Sequence, residues 1–224
     1  MNTWAQNLVL FYKGLKPSAT LPGNVEWLYP QKNPEVLRIA ELFFQQYYND
    51  DHQRTLLLGI NPGRFGAGVT GINFTAPRQL TDYCGIEHSF KMQSELSAEF
   101  IYEVVNQYGG PKLFYANFFI GSISPLGFIK NGKNINYYDD KELLKQTEPF
   151  IIQNLEKLIS FNVNRDSCFC IGGAKNFKYL SELNEKKQWF KKLIALPHPR
   201  FIMQYRRKQK TKYIQEYLQL LSNK

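Results

Sequence analysis

Three compact apolar runs constrain this chain more than any other feature: residues 55–60 (TLLLGI), 112–119 (KLFYANFF) and 167–171 (SCFCI). Each is too short for a helix and lacks polar alternation, the pattern of a strand buried on both faces of a parallel sheet. Residues 192–195 supply a fourth short strand. Apolar residues recur at helical spacing over 4–15, 36–48, 95–108 and 140–160, and a basic helix is predicted over 206–221. Asn33-Pro34 reads as a cap and first-turn pair for the second helix. Strands alternating with helices predict an α/β chain folded as a three-layer α/β/α sandwich. Residues 121–139, rich in Gly, Asn, Ser and Pro, read as a functional or surface loop.

Length and composition add bounds. A chain of 224 residues suits one domain spanning 1–224, with 1–34 as an N-terminal helical extension. Its 28 Lys and Arg against 19 Asp and Glu leave a formal charge of +9, which favours a polyanionic partner. Cys84, Cys168 and Cys170 have no metal-ligand spacing and read as reduced core thiols, and His52, His88 and His198 form no ligand pattern with them. No metal or cofactor is implied. The first fifteen residues lack the features of a signal peptide and no run reaches eighteen apolar residues, so a cytoplasmic protein without a membrane partner is expected. Asn73-Phe74-Thr75 matches a glycosylation sequon that has no consequence without secretion.

The first apolar run leads into GINPGRFGAGVTGINF, residues 59–74. Ligands of parallel sheets collect outside the carboxyl ends of the strands, where Asn61, Pro62 and Gly63 would lie. Glycine at 63 allows positive φ and leaves no Cβ, so a flat ligand can reach the backbone N–H groups. The turn lacks both Gly-Lys-Ser/Thr and the Gly-x-Gly-x-x-Gly spacing of nucleotide sites, and a purely structural turn stays open as a reading. His198, in ALPHPRFIMQYRRKQK, also follows an apolar strand, and flanking prolines fix its backbone. Six of the thirteen residues from 200 to 212 are basic, with Phe201, Met203 and Tyr205 interleaved. That mixture points to nucleic acid, against the alternative of a solvated helix face.

Together these stretches resemble the uracil-DNA glycosylase superfamily, most closely its single-strand-selective monofunctional (SMUG) family. The family's first motif reads Gly-Met-Asn-Pro-Gly, Phe-Gly, Thr-Gly and a phenylalanine, and here its elements fall without a gap from Gly59 to Gly63, at Phe65-Gly66, at Thr70-Gly71 and at Phe74. MQSELSAEF, SPLGFIKNGKNI and CFCIGGAKN resemble three further family segments, so that roughly residues 35 to 220 are covered. The resemblance implies a central four-stranded parallel sheet and hydrolysis of the bond between a damaged base and deoxyribose, without metal or cofactor. It also implies that one base carbonyl meets the N–H groups of the turn from Ile60 to Gly63 and that Phe74 stacks on the flipped base. Asn61 is implied to hold the attacking water, and His198 to donate an N–H to the departing base.

Two departures bear on selectivity and DNA grip. Where the family reads the base with an asparagine three residues before Cys-Pro-Leu, counting back from Ser124-Pro125-Leu126 gives Ser122. A short hydroxyl cannot make the paired contact of an amide, so a looser pocket taking uracil and also xanthine or hypoxanthine is expected. Asn117, a nearby amide, reads as a structural residue on a strand. The family's His-Pro-Ser-Pro-Arg is shortened here to His198-Pro199-Arg200, which leaves the wedge somewhere in 201–205. Arg200, Tyr205, Arg206, Arg207, Lys208 and Lys210 are the candidate contacts to single-stranded or duplex DNA, and a monomer is expected. A non-catalytic module that senses unusual bases and a nucleoside hydrolase remain the alternatives.

Overall fold

The computed structural model describes residues 2–93 and 95–222. Ser94, inside the family-like MQSELSAEF stretch, lies outside the described residues. In chain order α1 is Trp4–Lys13, β1 Val25–Leu28, α2 Pro34–Tyr48, β2 Arg54–Gly59, α3 Ala67–Thr70, α4 Pro77–Cys84 and α5 Leu96–Gln107. Then follow α6 Pro111–Asn117, β3 Phe118–Ser122, β4 Gly127–Lys130, β5 Lys133–Ile135, α7 Lys141–Ile159 and β6 Val163–Ile171. The chain closes with α8 Ala174–Lys187, β7 Lys192–Leu196, α9 Pro199–Tyr205 and α10 Lys210–Ser222.

Four strands form the expected parallel sheet, in the order β3-β2-β6-β7. Every residue of β2 and the last five of β6 are buried, as a sheet covered on both faces requires. Because β2 pairs with β3 on one side and β6 on the other, the winding reverses at β2, and a crevice opens outside the carboxyl ends there. The strands end at Gly59, Ser122, Ile171 and Leu196, so the Asn61 turn, Ser122, Gly173 and His198 share one edge.

The structure corrects three sequence expectations. Residues 112–119 are not one strand: Gly109 and Gly110, at φ 121 and 91, lead into Pro111 in a first helical turn. The resulting α6 buries Phe114 and Tyr115, and β3 begins only at Phe118, opposite Thr55. Asn117 therefore ends a helix, its Nδ2 donating to the Leu113 carbonyl at 2.9 Å. Residues 121–139 are not simply a loop. They hold the hairpin β4–β5, closed by Asn131-Gly132 at φ 50 and 71, the two left-handed residues of a mirror-image two-residue turn. β1 completes that small antiparallel sheet. Finally, the basic helix over 206–221 is broken: α9 ends at Tyr205, Arg207–Gln209 form one 3-10 turn, and α10 begins at Lys210.

α1 starts on a capping box between Thr3 and Gln6 and buries Trp4, Leu8, Phe11 and Tyr12 in the common core. The Trp4 indole N–H donates to the His52 carbonyl at 2.9 Å, tying α1 to the entry of β2. There Arg54 is fully buried, forked onto Asp50 at 2.6 and 2.8 Å, and donates to the Tyr115 carbonyl at 2.7 Å. Those contacts hold the Asp50 carboxyl below its usual range, Arg54 acting first. Cys84, Cys168 and Cys170 are free, buried thiols whose ionisation burial pushes up. Among the described residues no helix is long and apolar enough to cross a membrane. Nor do three or more His, Cys, Asp or Glu side chains come together there to hold a metal.

Candidate active site

The glycine-rich exit from β2 is shaped by its own aromatic. A Cβ on Gly59 would lie 2.8 Å from Cε2 of Phe74, so only glycine lets that ring fold back over the strand end. Phe74 is held at φ 52, a conformation that aromatic residues rarely adopt and that clusters at functional sites. Buried threonines impose it: Thr70 Oγ1 donates to the Thr75 carbonyl at 2.6 Å, and Thr75 Oγ1 donates to that of Asn73 at 3.3 Å. Gly71, at φ 73, turns the chain and receives Gln31 Nε2 on its carbonyl at 2.9 Å. Gly63 does not use the positive φ that glycine allows; its crowding is with Asn134, whose Nδ2 would lie 3.2 Å from an added Cβ.

Asn61 follows two residues behind Gly59, and the hairpin fixes its amide. Its Oδ1 accepts from the Tyr137 N–H at 3.2 Å, and its Nδ2 donates to the carbonyls of Ile135 and Pro62, each at 3.3 Å. These partners set which end is oxygen. One N–H on Oδ1 leaves its second lone pair to accept from water.

His198 caps the N-terminus of α9, its Nδ1 accepting from the Arg200 N–H at 3.1 Å. That bond fixes the neutral tautomer with hydrogen on Nε2. Burial first, and the Arg200 charge second, push the imidazole down from 6.5 to about 4, so it is neutral at pH 7. The rings of His198 and Phe74 lie 6.2 Å apart between centroids, tilted by 50°.

Both side chains line one cavity of about 460 Å³ at the carboxyl edge of the sheet. The cavity also brings together the predicted Ile60, Gly63, Phe74, Ser122, Arg200 and Tyr205. Arg206, Arg207 and Lys208 do not line it; they are exposed on the turn between α9 and α10. Lys210 also lies outside, its ammonium 2.7 Å from the Glu103 carboxylate. At the rim Phe201 and Tyr205 are 44% and 68% exposed, with ring centroids 5.8 Å apart, an apolar pair that water does not favour. Sequence reasoning missed several polar wall residues, among them Asn73, Asn134 and Glu95. Asn134 Oδ1 accepts from the Arg64 N–H at 3.2 Å, and Glu95 caps α5 by accepting from the Ala98 N–H at 2.7 Å. Their signal lay within stretches already quoted, but their inward orientation depends on the hairpin and the helix cap.

Fold and site define an α/β protein whose switch-point cavity sets a fixed amide and a neutral imidazole into one set of walls, beside an exposed basic turn. The Uracil DNA glycosylase superfamily model matches residues 45–222. The crystal structure of wild-type Pedobacter heparinus SMUG2 superposes with a TM-score of 0.96 at 43% sequence identity, covering 100% of this chain and 98% of that one. A search of curated proteins gives no match. The chain belongs to the uracil-DNA glycosylase superfamily. It is a DNA N-glycosylase, a hydrolase that acts on DNA, which sets aside the sensing module and the nucleoside hydrolase.

Proposed function

We propose that this glycosylase flips a deaminated base out of DNA and hydrolyses its glycosidic bond in a single monofunctional step that leaves an abasic site. Uracil is the first substrate, with xanthine and hypoxanthine beside it. The observation that carries the reading is the shared wall position of Asn61 and His198, each with one defined hydrogen-bonding capacity left. Asn61 Oδ1 accepts from water and orients it; a neutral amide is too weak a base to do more. Most of the rate then comes from stabilising the departing base anion as the sugar becomes oxocarbenium-like. The Nε2–H of a neutral His198 donates to the base oxygen where charge develops, already oriented before the reaction. The backbone N–H groups of the turn from Ile60 to Gly63, Pro62 excepted, back it from the other wall, while Phe74 supplies a stacking face.

Three features support the finer parts of the reading. The cavity walls carry no lysine among the described residues, so none of them offers the amine a Schiff-base strand cleavage needs. Ser122, buried at the end of β3, is shorter than an amide, which suits a pocket that takes more than one base. Phe201 and Tyr205, exposed at the rim, suit a wedge that fills the space left by the flipped base.

The test is an excision panel: single-stranded and duplex oligonucleotides carrying uracil, xanthine or hypoxanthine, read by alkaline cleavage of abasic sites, with and without Ser122→Asn. The reading expects all three bases to be released, cleavage only after alkali, and a shift towards uracil in the variant. Strand scission without alkali would contradict monofunctional action. An unchanged preference in the variant would remove Ser122 from selectivity.

A further inference from the structure

Ser122 does not face the cavity alone. Its hydroxyl donates to Oδ1 of Asn73 at 3.3 Å, and both residues line the same cavity wall as Asn61 and His198. The other side of the Asn73 amide lies against the buried hydroxyl of Tyr12, which comes up from α1 through the core. The backbone around it is pinned by the threonine contacts and by Gln31, so the amide stands on a rigid turn. We infer that Asn73 reads the Watson–Crick edge of the excised base, with Ser122 and Tyr12 orienting its amide. This rests on the glycosylase reading given above and names the specificity residue of that same site.

The chemistry fits the proposed range of bases. A side-chain amide has two N–H donors and an oxygen with two lone pairs. With one lone pair given to Ser122, one acceptor remains on the amide oxygen beside the N–H donors. Uracil presents an N–H and a neighbouring carbonyl on its pairing edge, and xanthine and hypoxanthine present the same lactam. Cytosine and adenine present the reverse, a bare ring nitrogen beside an amino group. A single amide therefore accepts three deaminated bases and refuses the bases from which uracil and hypoxanthine arise. Guanine carries the same lactam, so Asn73 does not reject it; that discrimination falls to whatever meets the C2 substituent. In the sequence Asn73 stood out only as the first residue of an idle glycosylation sequon.

Single-turnover excision of uracil, xanthine and hypoxanthine from single-stranded oligonucleotides tests the assignment, using the wild type, Asn73→Ala, and Asn73→Ala combined with Ser122→Asn. Thermal melting and binding to abasic DNA are measured alongside. Asn73→Ala is expected to slow all three excisions by about ten- to a hundredfold, the worth of a lost bidentate base contact, with melting and abasic-site binding unchanged. The double variant returns an amide to the wall from β3 and is expected to recover most of the uracil rate but less of the purine rates. Wild-type rates in Asn73→Ala would overturn the inference, as would a loss that Ser122→Asn fails to relieve or that tracks a lowered melting temperature. A wild-type protein that releases no base would defeat the glycosylase reading itself and this inference with it.

Discussion

At the scale of the residue, His198 depends on a single backbone N–H. The Arg200 amide occupies Nδ1, so the ring keeps its hydrogen on Nε2, and burial keeps the ring neutral. His198→Ala is expected to slow excision by about 10²–10³-fold, the usual effect of removing one donor to a developing oxyanion, with DNA affinity retained; single-turnover rates and binding isotherms separate the two. The shift also has a stability signature. The unfolded chain binds a proton near 6.5 that the folded chain does not bind until about 4, so stability should decline as pH falls through that window and level off below it. Urea midpoints at pH 7 and pH 5 should therefore differ less for His198→Gln than for the wild type. Asn61, His198 and Gly63 were legible because chemistry and strand ends coincide at them, and Ser122 only through the family resemblance. Asn73 was not, because an amide two residues past a left-handed glycine gives no sign of the wall it will face.

At the scale of the element, the hairpin and the start of α6 each have a local sequence cue. Asn131-Gly132 is the strongest short signal for a two-residue hairpin, yet the surrounding Gly, Ser and Pro made 121–139 read as a loop. That hairpin matters to the site, since it supplies the Ile135 carbonyl and leads to the Tyr137 N–H that together fix Asn61. The α6 start was hidden differently: an aromatic run reads alike as helix or strand, and only the Gly109-Gly110-Pro111 entry decides. The break between α9 and α10 exposes Arg206, Arg207 and Lys208 without acidic partners in hydrogen-bond reach among the described residues, while Lys210 is paired with Glu103. Salt titrations of duplex binding should reflect this. Arg207→Ala and Lys208→Ala are each expected to lower the slope of log affinity against log salt by about 0.9, and Lys210→Ala to leave it nearly unchanged.

At the scale of the whole molecule, the alternation of buried strands and helices was enough to fix the layer order, and the winding reversal at β2 then puts four strand ends beside one cavity. What composition did not reveal is how the entry to that central strand is anchored. Arg54 is fully buried under Trp4 and Tyr48, with Asp50 as its counter-ion, linking α1, α2 and β2. Removing the carboxylate leaves a buried guanidinium uncompensated, so Asp50→Ala is expected to cost about 3–5 kcal/mol in chemical denaturation. The depressed Asp50 carboxyl adds stability that is present above 3.8 and is lost as pH falls through its lower folded value.

The claim on which the account turns is that the amide and imidazole at this edge carry base excision. Single-turnover release of uracil from a single-stranded oligonucleotide by the wild type and by Asn61→Ala, with binding to the same strand measured in parallel, tests it most directly. Efficient release by the wild type is expected, and a loss of about a hundredfold or more in the variant, with affinity and melting temperature unchanged. Equal rates for the two proteins would contradict it.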